Sequence, residues 1–227
     1  MDCSIRPVAH FRSPLTSKFG IPRQSGLATG LRGQVVMEPP FDHPDALRGL
    51  ADFDYAWLIW GFSANRKAAA DNGLEGVALT VRPPRLGGNR RMGVFATRSP
   101  FRPNGLGLSC VRIERVETGV VHVLGADLMD GTPIYDIKPY VPYADAHPEA
   151  RGGFTDQTEW QPLQVCFPDE LRARFSPADQ RALIEILSQD PRPRYHDDPS
   201  RIYGMPFGGC DVRFRVADGL LTVVEIS

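Results

Sequence analysis

A chain of 227 residues can bury one large core or a main domain plus a small one, and 42% hydrophobic with 23% charged residues is the make-up of a globular chain, not a disordered or fibrous one. The formal net charge of −1 excludes a protein drawn to nucleic acid by its overall field, so any RNA contact has to come from a local patch. Four cysteines without a CxxC pair and five scattered histidines give neither a disulfide framework nor metal-ligand spacing. No stretch has the apolar length of a secretory leader or a membrane span, so the expectation is a cytoplasmic protein with no membrane contact and no metal.

In chain order, residues 5–11 (IRPVAHF) read as a first strand. Residues 12–27 form a loop punctuated by Pro14, Gly20, Pro22 and Gly26, and its centre, Phe19-Gly20-Ile21-Pro22-Arg23-Gln24, joins stiff backbone to polar side chains. Residues 31–37 form a strand that Pro39-Pro40 ends. Residues 43–50 (HPDALRGL) predict one short helix, because Pro44 suits a first turn and Gly49 a last one. Residues 55–62 (YAWLIWGF) are apolar at every alternate position on both faces, as in a central strand covered on both sides, with Trp57 and Trp60 in the core. A polar loop over 64–73 and a strand over 76–81 follow.

The next stretch, 81–109 (VRPPRLGGNRRMGVFATRSPFRPNGLGLS), is the densest in chemistry. Arg82, Arg85, Arg90, Arg91, Arg98, Arg102 and Arg112 fall between Gly76 and Ile113, where there is no Asp or Glu, and proline and glycine are too frequent for a helix to persist. Its one apolar run, 92–96, predicts a short buried strand with Phe95 in the core. A donor-rich, acid-free loop suits an anion or a nucleotide, although arginine is abundant throughout this chain (23 Arg, 3 Lys) and basic surface loops are commonly just solvated.

Residues 108–116 and 120–128 predict two further strands joined across Glu117-Thr118-Gly119, a hairpin turn with glycine where positive φ is required. A turn at Asp130-Gly131-Thr132-Pro133 leads into an extended segment, 134–140. Residues 147–162 carry no periodicity and read as a linker. Beyond it lie a strand over 163–167 and a helix capped by Ser176, with Pro177 at its first position and Asp179 in its first turn. Ala182, Leu183, Ile186 and Leu187 share that helix's apolar face, the 190–195 segment (DPRPRY) stops it, and 211–216 with 220–225 form a hairpin across Ala217-Asp218-Gly219. The fold class is mainly β: an antiparallel, barrel-like domain over 1–146, a linker over 147–162 and a small α+β domain over 163–227. The GLG at 105–107 lacks the third glycine of a dinucleotide fingerprint and the GGN at 87–89 lacks a following Lys-Ser/Thr, so neither usual nucleotide loop is present.

The string at 82–109, with DLMDGTPIYDIKPYVP (127–142), FGIPRQ (19–24), DPRPRY (190–195) and RIYGM (201–205), resembles the TsaA-like family of TrmO-type tRNA methyltransferases, in order and over nearly the whole chain. The resemblance implies transfer of a methyl group from S-adenosylmethionine to the N6 of threonylcarbamoyladenosine, immediately 3′ of the anticodon of threonine tRNA. It also implies a β-barrel methyltransferase working as a homodimer, with the cofactor near the subunit interface. By motif, the cofactor residues are Pro22, Arg23, Gln24, Arg98, Leu108, Asp127, Leu128, Met129 and Asp130. Ser63 and Ala64 occupy another family contact position where relatives often carry His-Gln or Asp-Gln, which argues against a side-chain contact. Gly105 stands where many relatives have proline.

The chemistry of these residues fits that implication. Arg23 or Arg98 suits the cofactor carboxylate through a two-pronged hydrogen bond, and Asp127 or Asp130 suits its ammonium or a ribose hydroxyl; both aspartates equally suit turn capping before Gly131. Asp127, Asp130 and Asp136 are the candidate bases for the N6 proton. Arg85, Arg90, Arg91 and Arg102 are candidates for phosphates of the anticodon loop, Phe101 for stacking on an unpaired base, and Arg192, Arg194 and Tyr195 for extending that basic surface. Two other readings stay open: a methyltransferase for another nucleoside or a small molecule, and a non-catalytic RNA- or nucleotide-binding barrel.

Overall fold

The computed structural model describes residues 4–65, 79–83, 86, 90–157, 161–192 and 198–227. Short alternating segments build its first half: β1 (Ala9–Arg12), β2 (Arg32–Met37), β3 (Tyr55–Gly61), a two-stranded ribbon of β4 (Thr80–Val81) and β5 (Met92–Gly93), then β6 (Leu106–Glu117), β7 (Val120–Leu124) and β8 (Pro133–Pro139). Six of these strands close into a barrel in the order β1-β2-β7-β6-β3-β8, every neighbour antiparallel and β8 returning to β1. Closure leaves no unpaired edge, and the two-residue side-chain period puts Ala9, Phe11, Val35, Leu58, Trp60, Val111, Val121, Val123 and Ile134 inside. Because neighbours alternate in direction, the connections leaving β1, β3 and β7 emerge at the same end of the barrel. The loops carrying most of the sequence motifs therefore meet there.

After a single helical turn, α1 (Pro142–Asp145), the chain enters a second unit: β9 (Gln164–Cys166), α2 (Asp169–Arg172), α3 (Pro177–Ser188), β10 (Tyr203–Phe207), β11 (Cys210–Ala217) and β12 (Leu220–Ile226). Its sheet runs β10-β11-β12-β9, with β9 parallel to β12. The Ser176 hydroxyl accepts from the Asp179 N–H, and α3 buries Ala182, Leu183, Ile186 and Leu187 in this second core. Positive φ at Asp218 (49°) and Gly219 (75°) makes the β11–β12 turn. The second core does not stop at the C-terminal segment, because Leu15, Ala28 and Leu31 of the β1–β2 loop are buried in it, with Phe19 and Ile21 packed alongside.

Several local expectations are corrected. The apolar run 92–96 is not a buried strand: only Met92–Gly93 pairs, and Val94–Ala96 form a 3-10 turn that Thr97 closes by donating its hydroxyl to the Val94 carbonyl at 2.9 Å. Only Val94 of that turn is buried, and Phe95, expected in the core, is 75% exposed. Residues 43–50 do not make one helix; Gly49 at φ 82° separates two 3-10 turns, Pro44–Leu47 and Leu50–Asp52. The first strand begins only at Ala9, and the strand expected over 120–128 ends at Leu124 because Gly125 turns the chain at φ 75°. Strand β3 is covered on one face, not two: Ala56, Leu58 and Trp60 are buried while Tyr55, Trp57 and Ile59 are not. Within the expected linker, Gly153–Gln157 form a 3-10 turn, and β10 answers no predicted strand. Of the strand expected over 76–81, residues 76–78 lie outside the described residues.

Candidate active site at one end of the barrel

Asp127 stands where the chain leaves β7. Two backbone hydrogen bonds stitch that exit to the β1–β2 loop: Gly125 N–H to the Leu31 carbonyl and Gly26 N–H to the Gly125 carbonyl, both 2.8 Å. This brings the Ser25 amide to the Asp127 carboxyl. From the barrel side, the Ser109 hydroxyl donates to Asp127 Oδ1 at 2.5 Å, and Ser109 accepts from the Trp60 indole N–H at 2.9 Å. Arg98, from the β3–β6 connection, faces the same carboxylate and donates from Nη1 to Gln24 Oε1 at 2.5 Å. Burial pushes the Asp127 carboxyl above its ordinary value; the Ser109 hydroxyl, the local amides and the Arg98 charge oppose that rise without cancelling it.

Gln24 and Arg98, hydrogen-bonded to each other, are thus brought from distant parts of the sequence to face Asp127, setting an exposed guanidinium beside a part-buried carboxylate. Such a cluster can bind a zwitterionic ligand, and its carboxylate can accept a proton. At the same end, Pro22 is buried in the β1–β2 loop and Leu128 is buried in the barrel core, so Leu128 reaches a ligand only through its backbone. Met129 accepts the Thr132 N–H through its carbonyl. Leu108 points outward from β6 and is 55% exposed. Ser63 and Ala64 lie in the 3-10 turn after β3, next to Phe62, whose N–H donates to the Gly105 carbonyl at 2.8 Å.

Other candidates are placed elsewhere. Arg23 reaches into the second unit and donates to the Asp190 carbonyl at 3.3 Å. Asp130 accepts the Ser13 N–H at 3.0 Å and lies 3.7 Å from Arg12, the turn-holding role that its sequence also suited. Asp136 is on the outer face of β8, opposite Ile59, accepting the Ile137 N–H and pairing with Lys138 at 3.3 Å. Arg102 folds back on its own loop, donating to the Thr97 carbonyl at 2.6 Å with its guanidinium 5.9 Å from the Phe95 ring. Arg192 forms a two-pronged bridge to Asp190. Arg90 and Arg91 are exposed, Arg91 touching the Thr80 hydroxyl at 3.4 Å, and Phe101 is 56% exposed. Arg85, Arg194 and Tyr195 lie outside the described residues. Among the described residues no group of three or more His, Cys, Asp or Glu is placed to hold a metal, and no helix is long and apolar enough to cross a membrane.

Two members of the cluster escaped the sequence reading. Ser109 entered only as the last letter of a motif, and Trp60 only as core. Their signal was present: Gly107, Ser109 and Val111 occupy inward positions of β6, so Ser109 is a small polar residue facing a barrel interior, and a buried indole N–H needs an acceptor.

Comparison with known proteins places the chain in a family. Residues 10–146 match the tRNA-methyltransferase O N-terminal domain family and residues 160–227 match the TrmO C-terminal domain family. A putative S-adenosylmethionine-dependent methyltransferase, RcsF, of Pseudomonas aeruginosa is 43% identical over 100% of this chain and 99% of its own length. The tRNA (adenine(37)-N6)-methyltransferase of Escherichia coli K12 is 38% identical over 95% of this chain and 94% of its own length. The crystal structure of TrmO from Pseudomonas aeruginosa, 35% identical, aligns over 100% of both chains with a TM-score of 0.78. On these matches, and on a closed antiparallel barrel followed by a small α+β unit, the chain belongs to the tRNA-methyltransferase O (TrmO) family.

Proposed function

We propose that this chain uses S-adenosylmethionine to methylate N6 of the adenine at position 37 of a tRNA, that the acceptor is the threonylcarbamoyl form of that adenosine in threonine tRNA, and that Asp127 is the base. The similarity to the Escherichia coli enzyme supports the reaction class. The observation that carries the reading is the Asp127 carboxylate, desolvated at the end of the barrel, held on one oxygen by Ser109 and faced by Arg98.

The residues fit the cofactor by their donor chemistry. Arg98 has guanidinium donors beyond the one on Gln24, suited to a carboxylate; Asp127 suits an ammonium or a ribose hydroxyl; Leu108 leaves an apolar side chain exposed at the same end. When bound, the cofactor supplies an electrophilic methyl carbon on a positively charged sulfur. The chain's own part is to place the nucleophile in line and to remove a proton. An adenine amine acylated by a carbamoyl group is more acidic than a free one, so a carboxylate suffices: Asp127 would take the N6 proton as N6 accepts the methyl group, which bound cofactor would give up as a neutral thioether. A carboxylate whose hold on a proton is raised by burial is a stronger base than an ordinary one.

For the tRNA, exposed Arg90 and Arg91 supply phosphate contacts, and Phe101 together with Phe95 supplies stacking surfaces, now that Phe95 lies outside the core. A homodimer belongs to the same proposal: Leu79 (78% exposed) and Leu108 offer a second copy an apolar surface. The test is transfer of labelled methyl to threonine tRNA prepared with and without threonylcarbamoyl. Label only in the carbamoylated tRNA supports the acceptor assigned here. Equal labelling of both preparations removes the threonylcarbamoyl requirement, and no labelling of either points to a different acceptor.

A further inference from the structure

We propose that Ser109 is a positioning residue for methyl transfer: its hydroxyl, oriented by the Trp60 indole, holds Oδ1 of Asp127 so that the other carboxylate oxygen is presented to the substrate amine. The inference rests on the reading that Asp127 is the base, and it assigns two residues of the barrel interior a part in the reaction.

The direction of the relay follows from donor counts. An indole N–H can only donate, so at the 2.9 Å contact with Trp60 the Ser109 oxygen accepts. The hydroxyl has one proton, and that proton is left for Asp127 Oδ1 at 2.5 Å. Ser109 is 1% exposed and Trp60 is 7% exposed, so neither bond is shared with bulk water. The indole has little room to shift. A Cβ on Gly107, the preceding inward position of β6, would lie 2.3 Å from the Trp60 ring, and Phe62 packs edge-on against that ring with centroids 4.4 Å apart. Glycine at 107 is therefore what lets the indole lie flat against the strand with its N–H over Ser109.

Packing alone does not account for this arrangement. An inward position of a barrel strand is normally apolar, and a buried hydroxyl is costly unless both its donor and its acceptor are used. Satisfying Trp60 uses only the acceptor; the donor is matched by Asp127, a carboxylate at this end of the barrel that burial has strengthened as a base. The groups facing that carboxylate are Ser109 from β6, Arg98 from the β3–β6 connection and the Ser25 amide from the β1–β2 loop, with Arg98 the charged one. Loss of the hydroxyl leaves burial opposed by fewer partners, so the carboxylate holds its proton to higher pH and its second oxygen is no longer aimed.

The experiment is the pH dependence of single-turnover methyl transfer at saturating S-adenosylmethionine and tRNA, for wild type, Ser109→Ala, Ser109→Thr, Trp60→Phe and Asp127→Asn. In Ser109→Ala the acidic limb moves to higher pH and the neutral-pH rate falls about 10-fold, an ordinary share of an acid–base contribution. Ser109→Thr, which keeps the hydroxyl, restores the limb. Trp60→Phe moves it in the same direction by less. An unmoved limb in Ser109→Ala overturns the proposal, whether or not melting temperature or cofactor KM changes, because a structural serine affects those and leaves the titration alone. The Asp127→Asn arm separates the two levels of the argument: an undiminished rate there removes Asp127 as the base, whereas a collapsed rate with an unmoved Ser109→Ala limb removes only the relay.

Discussion

A carboxylate that burial makes harder to ionise is a cost to the fold, and at Asp127 the sign of that cost can be measured. Its carboxyl binds a proton more tightly in the folded chain than in the unfolded one, so its contribution to stability is greatest when protonated and declines as pH rises through its own elevated range. Asp127→Asn is therefore expected to raise the melting temperature near neutral pH, with the gap to wild type closing as the solution is acidified. Thermal melts at a series of pH values decide it, and an Asn variant that is less stable than wild type at neutral pH contradicts the assignment of burial as the dominant influence. Gly20 makes a second residue-scale case. It sits at φ 92°, and a Cβ there would meet the Met205 sulfur at 2.1 Å. Gly20→Ala combines left-handed strain with overpacking and is expected to cost about 2 kcal/mol or more, read as a lower denaturation midpoint. Because Gly20 lies in the loop that carries Gln24, the same variant should weaken cofactor binding.

Among the elements, the β1–β2 loop holds the barrel and the second unit together. Its backbone is tied to Gly125 on the barrel side. On the other side, both Glu185 oxygens of α3 take hydrogen bonds from it, Oε1 from the Thr29 hydroxyl at 3.0 Å and Oε2 from the Gly30 N–H at 2.8 Å. Phe19 stacks on Phe214 at 6.3 Å, and Arg23 reaches the Asp190 carbonyl. Glu185→Ala removes two partly solvated charge-assisted bonds, so a loss of about 1–2 kcal/mol is expected. Cofactor affinity should fall with it, since the loop that presents Gln24 to Arg98 is loosened; titration calorimetry checks this, and unchanged affinity would mean that the barrel alone fixes the loop. None of this coupling was legible beforehand. Pro14, Gly20, Pro22 and Gly26 mark a stiff loop correctly, but an aperiodic segment gives no sign of which core its Leu15, Ala28 and Leu31 will enter. Where periodicity is strong, as in α3 with its Ser176 cap or in the β11–β12 hairpin around Gly219, sequence and structure agree closely. The run 92–96 shows the opposite case: four hydrophobic residues and Gly93, set between Arg91 and Thr97, have the composition of a strand, yet the chain closes a 3-10 turn over Val94–Ala96 instead.

For the whole molecule, the barrel and the small α+β unit were readable because their strands are short, alternating and separated by turn residues, while strand order and closure depend on non-local pairing that no local pattern encodes. The candidate site divides in the same way. Arg98, Gln24 and Asp127 were named from motifs, but their meeting depends on β1, β3 and β7 all ending at one end of the barrel, and the Trp60–Ser109 support beneath Asp127 depends on inward register. Of the arginines proposed for RNA that are among the described residues, Arg102 and Arg192 are held by the protein itself, which leaves Arg90 and Arg91 of that set to contribute to the salt dependence of tRNA binding. Replacing both with alanine should lower the slope of log affinity against log salt by up to about 2, and an unchanged slope would place the phosphate contacts elsewhere.

The account stands or falls on what the carboxylate at the barrel's end does. The most direct measurement is the single-turnover rate of methyl transfer by Asp127→Asn at saturating S-adenosylmethionine, alongside the variant's dissociation constant for that cofactor. The expected result is a rate lower by ~10²–10⁴-fold that saturating cofactor does not restore, whatever the variant's cofactor affinity. A wild-type rate, or a loss confined to cofactor binding, would contradict it.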